Sequence, residues 1–389
     1  MATTAPLVIE LPLDLTRDRG EDPASPPEGQ ACVFRIPENY VELAGQPDLP
    51  SEVFLIQRLL TIARQDVVVG IEWSGRIAGR LQESASLYPL LAVVISLTGA
   101  RHSIESLSQE QADALVSAAR KSIARYRLTA DLFSDSQIAL CADNLGLSRP
   151  RDLYEAGSGT VARRENFETM MLDVISRLLG SSVESAVAFR NARALGVIVA
   201  ELFENTHMHA RFDLSGRPLG PNAMRGLVMK RIQLARPAGS GGQPSTVDCL
   251  EILIFDTGVG YYPSYTRQPV TVETNLTEEW KVLHNCLERH YYPELEDSRA
   301  AHKAMGLAEV LKLIQALQGR IEIRTGRLYA YRTFMSGDLQ AQMEKRSSRF
   351  AHIAWPRPKM LDVAKRYIAI PSQHPTVVGS AVRVVVPLS

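Results

Sequence analysis

Cysteine is scarce in this chain. Its four cysteines, Cys32, Cys141, Cys249 and Cys286, are widely scattered, with no CxxC pair and no metal-ligand spacing. Such spacing argues against a disulfide framework or a zinc site and fits reduced thiols in a cytoplasmic protein. Excess charge is also missing: Lys+Arg and Asp+Glu are both 43, a formal net charge of zero. The bulk charge therefore does not indicate nucleic acid, an anionic membrane or an acidic substrate, although local patches remain open. The N-terminus has no basic region ahead of a clean apolar core, so no signal peptide is expected. The most apolar stretch, Leu87 to Leu97, is too short to span a bilayer and contains Pro89. No G-x-x-x-x-G-K-[ST] occurs, which sets a P-loop aside, and no G-x-S-x-G argues for a hydrolase triad. Internal repeats, low-complexity tracts and coiled-coil heptads are absent as well.

What is present is an ordinary globular balance, 45% apolar and 22% charged over 389 residues, enough for two or three domains. Residues 1–30 mix short apolar runs with Asp, Arg, Pro and Gly and read as a flexible arm. An α/β pattern follows over 31–160: a strand at Cys32–Ile36, a helix from Glu52 to Arg64 and a buried strand at Val67–Trp73. Ile77 to Leu97 is compatible with a helix followed by a strand or with one longer helix. Ser108-Gln-Glu-Gln111 is a capping-box pattern opening a helix to about Tyr126. The cations near its end, Arg120, Lys121, Arg125 and Arg127, are what a helix dipole favours. Arg164 to Leu179 reads as another helix, and a boundary near residue 160 separates the two regions.

The chemistry concentrates in the second region, 161–389. In Ala194 to Ala210, Leu195, Ile198, Val199, Leu202 and Phe203 mark one helix face. Glu201, Asn205 and His209, spaced by four, form a polar row on the same helix. A carboxylate one turn from a carboxamide can hold a water and a metal ion side by side. Leu250 to Phe255 is a strongly apolar strand running straight into Asp256-Thr-Gly-Val-Gly260. An acid there can accept a hydrogen bond from an exocyclic amine, while Gly258 and Gly260 allow close backbone approach. A third element begins near Arg299-Ala-Ala-His-Lys-Ala-Met-Gly-Leu307. Leu307, Val310, Leu311, Ile314 and Leu317 mark a helix closed by Gly319, whose exposed starting amides suit phosphate oxygens. Arg320–Thr325 reads as a strand, and Gly379-Ser380 as a turn feeding the last one.

In this order the three elements resemble the N-box, G1-box and G2-box of the GHKL ATPase superfamily. That group includes gyrase B subunits, the large heat-shock chaperone ATPases, histidine kinases and MutL. The resemblance covers about residues 165–389. It implies a Bergerat-type two-layer α/β sandwich with a mostly antiparallel sheet, added to the N-terminal α/β domain. It implies ATP and Mg²⁺ as ligands. Asn205 would hold the metal and Glu201 would orient or deprotonate the attacking water. Asp256 would bind the adenine amine, with Gly258 and Gly260 shaping the adenine wall and Ser380 assisting. Lys303 and Gly306 would meet the phosphates, with His302 or Arg299 helping.

Three departures from the family pattern stand out. Ala304 and Met305 precede a single Gly306 where two or more glycines are usual, so fewer amides reach the nucleotide. Tyr261 to Lys303, which would be the ATP lid, is long and contains a helical stretch from Glu278 to Tyr291. An insert over about 335–376 carries Lys345, Arg346 and Arg349. The resemblance implies a nucleotide-driven conformational switch that hydrolyses ATP. Its alternatives are a protein kinase of the histidine-kinase or anti-sigma-factor type, supported by Asn205-Thr-His-Met-His-Ala210, and a non-hydrolysing nucleotide-binding module. His102 lacks the context of a phosphoacceptor. A protein partner or a homodimer is implied only by the resemblance, and the N-terminal region is expected to serve regulation or partner binding.

Overall fold

A computed structural model describes residues 5–12, 14, 26–27, 29–44, 52–78, 81, 88–125, 136–142, 150, 152–157, 159–179, 185–220, 222–236, 245–287, 306–335, 360–364 and 370–388. Strands β1 (Leu7–Glu10), β2 (Cys32–Ile36), β3 (Val68–Trp73) and β4 (Arg101–Ile104) form a parallel sheet in that spatial order. Parallel neighbours need long crossovers. These hold the helices α1 (Tyr40–Ala44), α2 (Glu52–Ala63), α3 (Gly75–Ala78) and α4 (Pro89–Ser96), and α5 (Gln109–Arg125) follows β4. β1 lies within the stretch expected to be an arm. It pairs with β2 residue for residue, and Ile9 and Leu11 are buried.

The stretch with two open readings contains α4, all eight residues of which are buried. A helix covered on every side carries no polar stripe, so its period is invisible in the sequence. Pro89 sits in its first turn, where a missing N–H costs nothing. The capping box of α5 forms: Ser108 N–H donates to Gln111 Oε1 at 2.9 Å, and Gln111 N–H to Ser108 Oγ at 3.3 Å. Arg120 turns back to donate to the carbonyls of Ile95 (2.7 Å) and Leu97 (2.6 Å), capping the end of α4.

The second sheet has seven strands, all antiparallel to their neighbours. They are β5 (Ser136–Ala142), β6 (Met224–Arg236), β7 (Ser245–Asp256), β8 (Arg320–Gly326), β9 (Leu328–Thr333), β10 (Leu361–Asp362) and β11 (Val377–Pro387), in the spatial order β10-β9-β8-β11-β7-β6-β5. β5 precedes the boundary expected near residue 160. Within the expected insert, Leu361 and Asp362 pair with β9, while residues 336–359 and 365–369, including Lys345, Arg346 and Arg349, lie outside the described residues.

Both faces of this sheet are covered. Side chains alternate along a strand, so Leu250, Ile252 and Ile254 of β7 face one hydrophobic core, and Leu253 and Phe255 face the other. The first core also holds α6 (Arg164–Leu179), α7 (Ser185–His209) and α10 (Gly306–Ala316). The second is shared with α2, α4 and α5 of the N-terminal unit. Two-sided burial explains the unbroken apolar run of β7. α6 and α7 cross closely because Gly196 is bare, and a Cβ there would lie 2.6 Å from the Glu168 backbone. The fold is thus mixed α/β, a four-stranded parallel sheet beside a seven-stranded antiparallel one. No described helix is long and apolar enough to cross a membrane.

Candidate functional site

The polar row of α7 is positioned by its opposite face. Leu195, Ile198, Val199, Leu202 and Phe203 are buried against the sheet, leaving Glu201 and Asn205 half-buried and His209 exposed. The Asn205 side-chain nitrogen is buried and has no hydrogen-bond partner among the described residues. An unsatisfied buried donor costs about 1–3 kcal/mol, so a ligand oxygen brought to it would be stabilising. Glu201 is paired with Arg164 at the start of α6, and the same guanidinium nitrogen lies 3.4 Å from Glu309 in the first turn of α10. One arginine thereby ties three helices together.

Thr206, next to Asn205, is buried and donates to the Phe203 carbonyl at 2.8 Å, a local back-bond within the helix. Beyond it, Ala210 meets the turn after β7. A Cβ on Gly258 would lie 2.6 Å from Ala210 Cα, so helix end and turn are in contact through a bare glycine. Gly260 has φ +82, and a Cβ there would lie 2.9 Å from Thr325 Oγ1. At both positions the space of a side chain is taken by protein atoms, and glycine is required by packing whatever binds in front.

Asp256 ends β7 and is 5% exposed. Its Oδ1 accepts from Gly258 N–H at 2.8 Å and Ser380 N–H at 3.3 Å, and its Oδ2 accepts from the Ser380 hydroxyl. Ser380 reaches it from β11, where the register shifts between Val377 and Ser380. Burial raises the Asp256 pKa above the ordinary carboxylate range. The Ser380 and Gly258 bonds and the nearby Arg225 charge oppose that shift without cancelling it. Arg225, opposite Asp256 on β6 and 1% exposed, donates to the Tyr154 hydroxyl at 2.9 Å and approaches His207 Nδ1 at 3.4 Å.

Comparisons of the chain with protein-family models, curated proteins and solved structures return no match.

The structure brings Asp256, Gly258, Gly260 and Ser380 into one cluster, and joins the helix of Glu201 and Asn205 to it through Ala210. Gly306 opens α10. Arg299, His302 and Lys303 lie outside the described residues. Of the expected lid, α8 (Tyr261–Thr266) and α9 (Leu276–Leu287) are docked. Trp280, Leu283 and Leu287 are buried, and Glu279, 2% exposed, pairs with Arg327 just after the β8 strand. Residues 288–303 of that range are outside the described residues. Among the described residues no group of three or more His, Cys, Asp or Glu side chains is arranged to hold a metal. A Mg²⁺ carried on a nucleotide does not need one, since phosphates and water complete its shell.

Sequence reasoning missed Arg164, Thr325 and Arg225. Thr325 Oγ1 donates to Gly379 O at 3.1 Å and accepts from Tyr261 N–H at 3.2 Å, closing the cluster from behind. Nothing local marks these residues, because each acts on a partner distant in sequence.

Proposed function

We propose that the chain binds Mg·ATP between α7, the turn after β7 and the start of α10, and hydrolyses it as a conformational switch. The observation that carries this reading is the placing of a fixed acceptor and an unsatisfied donor at two ends of one site. A buried carboxylate, Asp256, is organised by Gly258 and Ser380 at one end, and the buried, unbonded side-chain nitrogen of Asn205 stands one turn from a carboxylate, Glu201, at the other. The first suits an exocyclic amine and the second suits phosphate oxygens. The order of strands β9-β8-β11-β7-β6, with α6, α7 and α10 on one face, supports a Bergerat-type sandwich.

In this reading Asp256 fixes the base, and Ser380 holds the carboxylate oxygen in place while offering its own oxygen as an acceptor. Asn205 Oδ1 is the protein oxygen available to Mg²⁺, which would supply charge neutralisation on the phosphates. Glu201 takes a proton from the attacking water. The water oxygen bonds to the γ-phosphorus, the bond to the β–γ bridging oxygen breaks, and its electron pair leaves with ADP. The N-terminal unit is where the state would be transmitted. α2 hydrogen-bonds to β11 beside the site: Val378 N–H donates to Thr61 Oγ1 at 3.1 Å.

ATP binding and phosphate release by the full chain test the reading. Asp256→Asn presents an amide where the base needs an acceptor and should weaken ATP binding about tenfold or more. Glu201→Ala should bind ATP and release no phosphate. Turnover at the wild-type rate by Glu201→Ala would remove the base assignment. Label retained on protein would assign phosphotransfer instead, and absence of ATP binding by the wild type would overturn the proposal.

A further inference from the structure

Arg164 joins the carboxylate beside Asn205 to the first turn of α10, and neither the polar row nor the glycine turns account for it. Both of its contacts, to Glu201 and to Glu309, run through one nitrogen, Nη2. Nε and Nη1 make no other hydrogen bond among the described residues, and the side chain is 45% exposed. The guanidinium therefore sits between two elements with donors to spare. On the reading above, one of those elements holds the base that activates water and the other begins where the phosphates end. From this geometry we infer that Arg164 is the residue that detects the γ-phosphate. The inference rests on the ATP-site reading.

Without nucleotide, the arginine neutralises Glu201 and braces α7 to α10. The arginine end of this ion pair is 45% exposed and the Glu201 end 15%, so solvent screens the pair from the arginine side and lowers the cost of exchanging partners. A terminal phosphate carries more charge than a carboxylate and matches the planar fork of the guanidinium. ATP would thus draw Arg164 away from Glu201 onto the γ-phosphate. Two consequences follow together: the carboxylate is released to accept the proton from water, and the charge that builds on the γ-phosphoryl oxygens meets a fixed cation. ADP lacks the group that competes for the arginine and leaves the ion pair in place. The same side chain would then hold Glu201 inactive at rest and stabilise the reaction once ATP arrives. Its release from Glu309 would also free the first turn of α10 to move.

The test is the affinity of the full chain for ATP and for ADP, measured by calorimetry on wild type, Arg164→Ala and Arg164→Lys, with phosphate release followed in parallel. Wild type should prefer ATP. Arg164→Ala should lose about tenfold in ATP affinity and keep its ADP affinity, and its turnover should fall by at least tenfold. Arg164→Lys, which keeps the charge but not the fork, should recover part of the ATP preference, and it serves as the test if the alanine variant fails to fold. A brace with no nucleotide role would change both affinities by the same factor or neither, and either result overturns the assignment. Wild type binding ATP and ADP equally would overturn it while leaving the ATP-site reading intact. Wild type binding neither would remove both.

Discussion

His102 shows how one buried side chain can set the pH response of the N-terminal unit. It is 4% exposed, and its Nδ1 accepts from Trp73 Nε1–H at 3.1 Å. Burial, and then the neighbouring Arg120 charge, lowers its pKa from 6.5 to about 4. Between those two values the unfolded chain binds more protons than the folded one. The stability from the neutral ring is therefore complete above about pH 6.5 and is lost as pH falls toward 4. At pH 5 the loss is about 2 kcal/mol relative to pH 7. Unfolding free energies from urea titration should fall on acidification by that amount in wild type, and by clearly less in His102→Gln, which keeps an acceptor but does not titrate. Equal slopes in the two proteins would show that other groups govern the acid limit. At this scale the sequence was informative wherever a residue's partner lay close along the chain. Asp256 and Gly258 could be singled out because a D-x-G-x-G turn at a strand end is a local pattern, and Ser108 with Gln111 because a capping box is local. The pairing of Arg164 with Glu201 depends on how two helices cross, and no short pattern encodes that.

At the scale of elements, legibility followed exposure. α7 and α5 have one solvated side, so their periods could be read. α4, buried all round, and the short strands β1 and β4 could not be assigned from pattern, and β5 was missed because its pairing partner β6 comes far later in the chain. The end of α10 adds a refinement. Gly319 was expected to close it, and its N–H does donate to the Ile314 carbonyl at 2.8 Å, yet the left-handed residue is Gln318, with φ +51. Gly319 is needed for closeness instead, since a Cβ there would lie 2.8 Å from the Val385 carbonyl oxygen. β11 carries a tighter glycine of the same kind. Gly379 has φ +66, and a Cβ would sit 2.0 Å from the Asp256 carbonyl oxygen. Gly379→Ala should cost about 3 kcal/mol, combining left-handed strain with forced separation of β11 from β7. Gly216, with φ +78 and nothing within 4 Å, is the control. Gly216→Ala should cost only about 1 kcal/mol. Thermal denaturation of the two variants checks the contrast, and similar melting temperatures would contradict it.

For the molecule as a whole, the decisive feature is that one hydrophobic core belongs to both halves. Leu55, Leu59 and Val93 of the N-terminal unit share it with Leu140, Val228, Leu253 and Phe255 of the antiparallel sheet. Gln57 Nε2 adds polar contacts, donating to the Arg324 carbonyl at 3.3 Å and to that of Val378 at 3.4 Å. Two α/β regions could be distinguished along the sequence, but their docking could not, because apolar residues on α2 look the same whichever sheet they cover. A fragment of residues 1–125 would leave the far side of α2 and α4 uncovered. It should bind a hydrophobic dye and self-associate on size exclusion, whereas a monomeric fragment with a cooperative transition would show that this unit closes its own core.

The place of β11 has a consequence in time. Among the described strands it comes last in sequence, yet it lies between β8 and β7 at the middle of the seven-stranded sheet. During synthesis, β5, β6 and β7 can pair as one ribbon and β8 and β9 as another, with no hydrogen bonds joining the two until β11 leaves the ribosome. The same strand delivers Ser380 to Asp256 and places Val378 under Thr61. A nascent chain therefore cannot assemble the candidate site early and wait for the rest of its fold. The site and the seven-stranded sheet are completed only when β11 joins β8 and β7, whereas the core that the N-terminal unit shares with β5, β6 and β7 does not wait for it.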